Sequence, residues 1–311
     1  MRPLVRPAVR PLVPEPPGYP LSAVDLICVG DVMLDVRVDA GELARGGDVH
    51  GRVALQPGGT SANAAVWAAE SGASTRVHGR VGADVAGRLL RTELEVRGVE
   101  AALVEDPNAP SGTMLVVFEA GERSMVADRG ANALLSPSDL PPDLEGGAVL
   151  VSGYLLLQGG AREAGLEAIR RSRAEWIGVE AASWPLVDAL GPAAFDELAT
   201  GATVILANEH EAEALTSREP LPAARALGER YRAACVKRGA AGAVMALDGR
   251  IYEAAPQTVD ERDPTGAGDA FDGVLLSSLA RGIEPEEALD LACRAGARVA
   301  ASTSVWPAVA Q

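Results

Sequence analysis

The sequence is poor in aromatic residues and in cysteine, and it contains no long apolar run. Aromatic side chains make up 4% of its 311 residues, so alanine and aliphatic side chains must fill most of the core. Because no apolar run reaches the roughly 18 residues of a membrane-spanning helix, we expect no membrane partner. Cys28, Cys235 and Cys293 stand far apart and the histidines lack a zinc-ligand spacing, which favours buried, reduced thiols in a cytoplasmic protein.

Positive charge is also scarce. Lys and Arg number 28 against 43 Asp and Glu, for a net charge of −15, whereas proteins that bind duplex nucleic acid need clustered cations to neutralise phosphates. We therefore exclude nucleic acid as a partner. Two nucleotide signatures are missing as well: no Gly-x-x-x-x-Gly-Lys-Ser/Thr occurs, and no Gly-x-Gly-x-x-Gly follows the first apolar run. These absences argue against a P-loop enzyme and a dinucleotide-dependent dehydrogenase.

Short apolar segments alternate with helical patterns along most of the chain. Such alternation is typical of a mostly parallel sheet that is covered on both faces. The predicted strands are 24–29, 74–79, 148–151, 176–179, 203–206 and 234–236. The predicted helices are 61–71, 86–97, 163–173, 209–215, 221–232 and 285–301. Residues 1–21 are rich in Pro and Arg, which disfavours helix and central strand, and we expect this extension to be disordered.

The segment 263–271, Asp-Pro-Thr-Gly-Ala-Gly-Asp-Ala-Phe, joins a glycine-rich turn to an apolar helical pattern. The first amides of a helix lack backbone acceptors and, together with the helix dipole, they bind anions. Gly266, Ala267 and Gly268 are therefore predicted to hold a phosphate, and Asp269 beside them is suited to take a proton from an attacking hydroxyl. The dipole alone also favours an acid in a first helical turn. Taken by itself, the segment fits both phosphoryl transfer and a plain helix start.

Four segments, in order, resemble the signatures of the ribokinase-like (PfkB) carbohydrate kinase family. They are Gly-Asp-Val-Met-Leu-Asp at 30–35, the glycine pair and helix start at 58–65, Asn-Glu-His-Glu at 208–211, and the segment 263–271. Their order and spacing fit the family over about residues 24 to 300. Each motif alone has low specificity, but four in order are a strong signal.

The resemblance implies a three-layer α/β/α ribokinase-like fold with a mostly parallel central sheet over residues 22–311. Two β-rich insertions, about 34–57 and 100–128, are expected to form a small β-sheet lid over the sugar site. Within the second insertion, apolar runs at 114–118 and 123–127 predict a hairpin. In the family the lid is often also a dimer surface, so the resemblance implies a homodimer through it.

The resemblance also implies the chemistry of the sugar side. Asp269 is expected to be the general base, and the amides of Gly266, Ala267 and Gly268 are expected to form the anion hole for the γ-phosphoryl of ATP. The implied sugar-binding residues are Asp35, Gly58, Gly59, Asn63, Tyr154 and Asp269. A carboxylate such as Asp35 only accepts hydrogen bonds, which suits a polyol.

On the nucleotide side, the implied ATP-binding residues are Asn208, Glu211, Lys237, Gly239, Gly242, Gly266 and Gly268. Glu211 is expected to organise Mg²⁺ through water, although the same Asn-x-x-Glu spacing also predicts a helix cap. Asp263 and Thr265 match positions that often hold a monovalent cation, usually K⁺. Pro264 and the C-terminal tail depart from the family pattern there, which leaves K⁺ dependence open. Asp272 is interpreted as a surface acid favoured by the helix dipole.

These features predict an ATP-dependent sugar kinase with a ribose-, fructose- or 2-keto-3-deoxygluconate-like acceptor. An acceptor that already carries phosphate would need a basic cluster, for which Arg123 and Arg129 are candidates. The alternative within the family is a nucleoside kinase, although the lid offers few aromatic residues beyond Phe118 to stack a base. The alternative of another class is a catalytically silent sugar-binding or regulatory protein, against which the intact Asp269 motif argues.

Overall fold

The computed structural model describes residues 24–119 and 122–309, so the expectation for residues 1–21 lies outside the described part. The strands are β1 (Val24–Val29), β2 (Met33–Gly41), β3 (Arg52–Gly58), β4 (Thr75–Gly82), β5 (Val99–Asp106), β6 (Gly112–Glu119), β7 (Glu122–Asp128), β8 (Leu144–Val151), β9 (Ser172–Arg173), β10 (Trp176–Glu180), β11 (Val204–Asn208), β12 (Ala233–Lys237), β13 (Ala243–Leu247) and β14 (Arg250–Ala254). The helices are α1 (Thr60–Glu70), α2 (Val85–Val96), α3 (Gly153–Leu157), α4 (Arg162–Arg171), α5 (Trp184–Leu190), α6 (Pro192–Leu198), α7 (Glu209–Thr216), α8 (Pro220–Gly228), α9 (Ala267–Ala280) and α10 (Pro285–Ala300).

The large sheet has the order β14-β13-β12-β11-β10-β8-β1-β4-β5, with β9 paired to β8. All pairings from β12 to β5 are parallel, and the antiparallel pairings of this sheet are the two made by β13, with β12 and with the edge strand β14. Strands in such a sheet are buried on both faces, which explains why β1 reads as a continuous apolar run. Its residues 26–29 have no exposed surface. The predicted mostly parallel sheet is confirmed.

Two helical layers cover the sheet. On one face, α1, α2, α9 and α10 contribute to one core cluster, and on the other α3 to α8 contribute to a second. This arrangement is the expected three-layer fold. Among the described helices, none combines the length and the apolar character needed to cross a bilayer.

A four-stranded sheet, with order β3-β2-β6-β7, forms the lid. The predicted hairpin is present as the antiparallel pair β6 and β7. The lid strand β2 follows β1 after three residues, so the lid connects to the third strand from one edge of the large sheet. The second insertion is shorter than expected. Because β5 pairs with β4 in the large sheet, residues 99–106 belong to the body, and the lid resumes at Gly112 rather than near residue 100.

Candidate active site

Asp269 and Asn63 meet where α9 and α1 begin. Asn63 Nδ2 donates to Asp269 Oδ2 over 2.7 Å. The helices can approach this closely because a Cβ on Gly273 of α9 would lie 2.1 Å from the Ala64 carbonyl oxygen of α1. Asp269 is half-buried, and burial raises its pKa above the usual range, while the Asn63 hydrogen bond opposes that rise. Two residues assigned from separate motifs thus form one unit.

The glycine-rich turn leads into α9 as predicted. Gly266 is the residue before the helix and has φ +80°, a left-handed conformation that glycine adopts without strain. The Ala267 amide, however, donates to the Pro264 carbonyl over 3.0 Å. The Ala267 amide is therefore already paired, and the predicted anion site rests on the amides of Gly266 and Gly268. The dipole of the 14-residue helix α9 would add to their attraction for an anion.

Three residues expected on the sugar side, Asp35, Gly58 and Gly59, lie in or directly after the lid strands β2 and β3. A Cβ on Gly58 would lie 2.6 Å from Asp35 Oδ2, and one on Gly59, which has φ +95°, would lie 2.4 Å from the Asp31 carbonyl. These glycines therefore let β3 and the start of α1 pack against the β1–β2 segment. Burial raises the pKa of Asp35 to about 7, where the charge of Arg37 opposes the rise and the charge of Asp269 adds to it.

Tyr154 lies at the start of α3, beside a short chain of polar side chains. Thr60 donates to Ser152 Oγ over 3.0 Å, and Ser152 donates to Glu180 Oε1 over 3.1 Å. The Ser152 oxygen also accepts from the Tyr154 amide over 3.3 Å. Burial raises the pKa of the Tyr154 phenol, and the charges of Glu180 and Asp269 add to the rise. The phenol therefore lies within electrostatic range of Asp269.

Asp272 is not a surface acid, and its interpretation as one is wrong. It has no exposed surface, because α9 packs against α1, α10 and the large sheet rather than facing solvent on one side. Lys237 Nζ, at the end of β12, donates to Asp272 Oδ2 over 2.6 Å. Burial raises the pKa of Asp272 to about 7, although the Lys237 charge opposes the rise. Lys237 also lies near the anion hole, since its Nζ is 3.5 Å from a Cβ built on Gly268.

Negative charge is in excess around this lysine. Burial raises the pKa of Glu180 well above its usual range, and the charges of Asp269, Asp272 and Glu211 add to the rise, opposed only by Lys237. Four carboxyl groups thus interact with one ammonium group. No cluster of three or more His, Cys, Asp or Glu side chains arranged to chelate a metal ion occurs in the described ranges.

Asn208 and Glu211 form a complete capping box at the start of α7. The Glu211 amide donates to Asn208 Oδ1 over 2.9 Å, and the Asn208 amide donates to Glu211 Oε2 over 2.8 Å. Asn208 Nδ2 additionally donates to Glu211 Oε1 over 2.8 Å. The predicted cap is confirmed, and it fixes the buried Glu211 carboxylate within reach of the charges around Lys237.

A cavity of about 330 Å³ lies beside the start of α9, and Asn63 is not among the residues that line it. It is lined by the predicted nucleotide residues Lys237, Gly239, Gly242 and Gly268, and by Phe271, Cys293, Gly296, Ala297 and Ala300. The structure thus brings together four of the seven residues expected to bind ATP. Asn208, Glu211 and Gly266 lie outside the lining of this cavity. The small side chains on α10 leave room for a flat ring.

Asp263, expected to hold a monovalent cation, is instead paired with the lid. It is 5% exposed and forms ion pairs with Arg37 on β2 and with Arg123 on β7, the latter at 3.3 Å. Thr265 Oγ1 donates to Asp263 Oδ1 over 2.6 Å and also contacts Arg123. The Arg37 guanidinium stacks 4.9 Å from the centre of the Phe118 ring. Sequence reasoning missed these contacts, because β2 and β7 are far from this loop along the chain.

The tail after α10 makes two further contacts with the candidate site, and no sequence pattern predicted them. Trp306 Nε1 donates to Asn63 Oδ1 over 2.6 Å, and Val305 Cγ1 is 2.5 Å from a Cβ built on Gly266. On the opposite side of the pocket, Arg129 Nη2 pairs with Asp31 Oδ1 at 2.6 Å. The only sequence signal for the tail was its departure from the family pattern.

Comparison with known proteins agrees with this geometry. Residues 24–308 match the family described as pfkB family carbohydrate kinase. The chain belongs to this family. It is therefore a carbohydrate kinase, a phosphotransferase that phosphorylates a sugar hydroxyl at the expense of ATP. The family predicted from the four motifs is confirmed.

Individual relatives support both the family and the fold. The chain is 31% identical over 254 residues to a 2-dehydro-3-deoxygluconokinase of Thermoproteus tenax, covering 78% of each protein. It is 33% identical over 240 residues to an aminoimidazole riboside kinase of Salmonella typhimurium, covering 72% of this chain and 74% of that one. A solved structure of a probable sugar kinase from Rhizobium etli superposes with a TM-score of 0.80 at 21% identity, covering 92% of this chain and 96% of that one. This last likeness supports the ribokinase-like fold.

Proposed function

We propose that the chain transfers the γ-phosphoryl of MgATP to one hydroxyl of a small carbohydrate, with Asp269 as the general base. The observation that carries the proposal is the hydrogen bond from Asn63 to Asp269 at the first turn of α9. It sets an acid beside a helix N-terminus, where a base and an anion site are both needed. Asp269 takes the proton of the acceptor hydroxyl as that oxygen attacks, and the amides of Gly266 and Gly268 stabilise charge on the transferred group.

The acceptor binds between the lid and the large sheet. Asp35, Gly58, Gly59, Asn63 and Tyr154 are the residues proposed to contact it. Asp35 accepts hydrogen bonds from sugar hydroxyls when ionised. The charge of Asp269 influences the pKa of Asp35, so one small sugar could contact both carboxyl groups. Ribose-, fructose- and 2-keto-3-deoxygluconate-like sugars all fit this description.

The arginines of the pocket support an acceptor that carries no phosphate. Arg129 already pairs with Asp31 and donates to Gln158, and Arg123 already contacts Asp263 and Thr265. A phosphate on the acceptor would have to compete with buried carboxylates for these guanidinium groups. The acceptor class is therefore proposed to be an unphosphorylated sugar.

ATP is proposed to occupy the cavity beside Lys237, Gly239 and Gly242, with its phosphates directed toward the start of α9. The excess of buried carboxyl groups around Lys237 fits a divalent cation, since burial and the neighbouring carboxylates raise the pKa values of Glu180 and Asp272. Glu211 is the residue that would hold Mg²⁺, through water. When bound, this ion neutralises phosphate charge, and it keeps several waters in doing so.

A monovalent cation at Asp263 and Thr265 stays a prediction. Both side chains contact guanidinium groups of the lid, so K⁺ would have to share or displace those contacts. Activity measured in K⁺ and then in tetramethylammonium salt at equal ionic strength tests it. A loss of activity without K⁺ would support the site, and equal rates would contradict it.

Cytoplasmic location likewise stays a prediction.

Homodimer formation through the lid is proposed from one row of side chains. Leu55, Val36, Leu115 and Val126 face one another across the four lid strands, and Leu55 and Val126 are 60% and 64% exposed. An apolar row of this kind on a sheet marks an interaction surface. Light scattering at micromolar concentration should give the mass of two chains, and Val126→Asp should give one. A single-chain mass for the unaltered protein would overturn the proposal.

The experiment that tests the proposed reaction is ADP release with MgATP across pentoses, hexoses, sugar acids, sugar phosphates and nucleosides. We expect turnover on one sugar, reduced in Asp269→Asn by at least about 100-fold because general base catalysis is typically worth that much. Asp290→Asn, on the partly exposed side of α10, is the matched control and should keep the rate.

Turnover on nucleosides alone would overturn the acceptor class, and the stacking of Arg37 on Phe118 argues against it. An unchanged rate in Asp269→Asn would overturn the assignment of the base. Binding of sugar and ATP without turnover would instead indicate a catalytically silent binder.

A further inference from the structure

The tail after α10 is connected to Asp269, the proposed general base, through one side chain, Asn63. Trp306 is 3% exposed, and its indole Nε1 donates to Asn63 Oδ1 over 2.6 Å. Asn63 Nδ2 in turn donates to Asp269 Oδ2 over 2.7 Å. The three side chains form a continuous line of hydrogen bonds from the tail to the acid.

This line has a fixed direction. An indole N–H only donates, whereas a side-chain amide has one accepting end and one donating end. With Trp306 facing its oxygen, the Asn63 amide must turn its nitrogen toward Asp269. The flipped amide would bring two donors together at Trp306 and would set its oxygen against the Asp269 carboxylate. Both contacts would be repulsive.

The tail itself is held in place by independent contacts. Trp67 Nε1 donates to the Val305 carbonyl over 2.8 Å, and the Arg97 guanidinium lies 5.2 Å from the centre of the Trp306 ring. Ser304 Oγ donates to the Trp306 carbonyl over 2.9 Å. The indole is therefore positioned before any ligand binds, and it does not depend on Asn63 for its place.

We propose that Trp306 is a positioning residue for the kinase reaction, which holds the Asn63 amide in the orientation that donates to Asp269. The inference rests on the proposed role of Asp269 as the general base. A base must be ionised to accept a proton, and donation from Asn63 favours the ionised form. Loss of Trp306 therefore shifts Asp269 toward its protonated form.

Other groups also set the protonation of Asp269, and they must be common to every variant compared. The charged or titratable groups that influence it, or that it influences, are Lys237 on β12, Glu211 on α7, Glu180 on β10, Asp35 on β2, Asp272 on α9, Cys28 on β1 and Tyr154 on α3. A substitution at Trp306 leaves all of them in the protein. A change in the pH profile then reports the altered amide.

The test compares Trp306→Phe with Trp67→Phe across the pH dependence of kcat. Trp67 is the matched control because it is equally buried, on α1, and its N–H supports the same tail without contacting Asn63. We expect Trp306→Phe to move the acidic limb of the profile upward by about one pH unit and so to lower kcat about tenfold at pH values below the midpoint of that limb, the effect of one hydrogen bond to a charged group. Trp67→Phe should leave the limb in place.

The Asn63→Ala background identifies the route. If Trp306 acts through the amide, Trp306→Phe changes kcat less than about twofold in that background, because coupled sites are not additive. An unshifted acidic limb in Trp306→Phe, or a full tenfold loss in the Asn63→Ala background, would overturn the inference.

Should Trp306→Phe fail to fold, a benzothiophene analogue of tryptophan placed at 306 alone removes the N–H and keeps the ring, and the same two outcomes apply. Asp269→Asn separates the two proposals. If that variant keeps its activity, the base assignment fails. If it is inactive while the acidic limb of Trp306→Phe is unshifted, only the inference on Trp306 fails.

Discussion

Arg37 on the lid strand β2 forms a buried ion pair with Asp263 in the loop that leads into α9. The Arg37 side chain is 11% exposed and the Asp263 side chain 5%. Hydrogen bonds from Thr265 and the charge of Arg37 lower the pKa of Asp263, against the effect of burial. The position of the lid is thereby connected to the loop that carries the proposed anion hole.

Replacing Arg37 should loosen the lid. In Arg37→Gln we expect the free energy of unfolding to fall by about 2 kcal/mol, less than for a fully broken buried pair because Arg123 still contacts Asp263. The KM for the sugar should rise severalfold, since the lid is proposed to cover the acceptor. Denaturant titration and steady-state kinetics measure the two effects. Arg52→Gln, on the exposed part of β3, should change neither, and an unaltered KM in Arg37→Gln would contradict the coupling.

Gly266 and Gly98 provide a matched pair for testing the anion hole. Their φ angles are +80° and +79°, but a Cβ on Gly98 meets nothing within 4 Å, whereas one on Gly266 lies 2.5 Å from Val305 Cγ1. Both alanine variants should therefore share a backbone cost of about 1–2 kcal/mol. Gly266→Ala should lose a further 1–3 kcal/mol, roughly, from overpacking.

Activity distinguishes the two glycine variants more sharply than stability does. In Gly266→Ala the displaced start of α9 should lower kcat by about tenfold or more, because a misplaced oxyanion donor costs at least that much. Gly98→Ala should retain the kcat of the unaltered enzyme. Equal kcat values for the two variants would show that the turn at Gly266 does not serve the reaction.

Variants of the buried pair Lys237 and Asp272 can distinguish a structural role of Lys237 from a role in binding ATP. Asp272→Ala leaves an ammonium group without its partner and should cost about 3 kcal/mol of unfolding free energy. The double variant Lys237→Met with Asp272→Leu should regain most of that stability, because an apolar pair often replaces a buried ion pair without loss. Its KM for ATP should nevertheless stay raised.

Denaturation and ATP kinetics on the same preparations make this comparison. Glu70→Ala, which breaks the surface pair with Arg298, is the control and should cost less than about 1 kcal/mol. A double variant with both normal stability and a normal KM for ATP would mean that Lys237 does not contact the nucleotide.

Asp35 should make the free protein less stable as the pH rises toward 8. Its folded-state pKa of about 7 lies above the ordinary value of 3.8 that it has in the unfolded chain, so the folded state binds more protons than the unfolded state across that interval. Stability therefore falls as pH rises between about 4 and 7, by roughly 1.4 kcal/mol per unit of pKa difference at most.

The contribution of Asp35 is measured as a difference, because other groups titrate in the same range. His78, whose pKa burial lowers to about 4, has the opposite slope between about 4 and 6.5. Denaturant titrations of the unaltered protein and of Asp35→Asn, from pH 5 to about pH 8, should diverge, with the variant gaining relative stability at high pH. Parallel curves would contradict the shifted pKa, and Asp290→Asn should follow the unaltered protein.

Features set by local sequence were predictable here. The turn and helix start at Gly266, the capping box at Asn208 and the buried run of β1 each depend on residues within a few positions of one another. Asn63 and Asp269 were both assigned from their own motifs. Their direct hydrogen bond required the packing of α1 against α9, which no local pattern encodes.

Features set by distant contacts were not predictable. Asp272 was misinterpreted because an acid near a helix N-terminus is typical of a surface helix, whereas residues 270–279 of α9 are buried against elements from other parts of the chain. The lid boundary was misplaced because only the pairing of β5 with its partner, β4, assigns it to the body, and that pairing is not encoded within β5 itself. Trp306 gave no signal, since its acceptor Asn63 stands 243 positions earlier.

The long separation between Asn63 and Trp306 along the chain should also delay the appearance of activity during folding. The proposed base on α9 takes its orientation from Asn63 on α1 and from the Trp306 indole, which stands 243 positions later in the chain. Contacts between such distant parts of a chain form late, because closing a long loop costs entropy before any contact repays it. During synthesis, the sheet and its helices can assemble from the N-terminal side before Trp306 has fixed the orientation of the Asn63 amide toward Asp269. We therefore expect sugar phosphorylation to appear in refolding only after the fluorescence of the buried tryptophans has reached its native value.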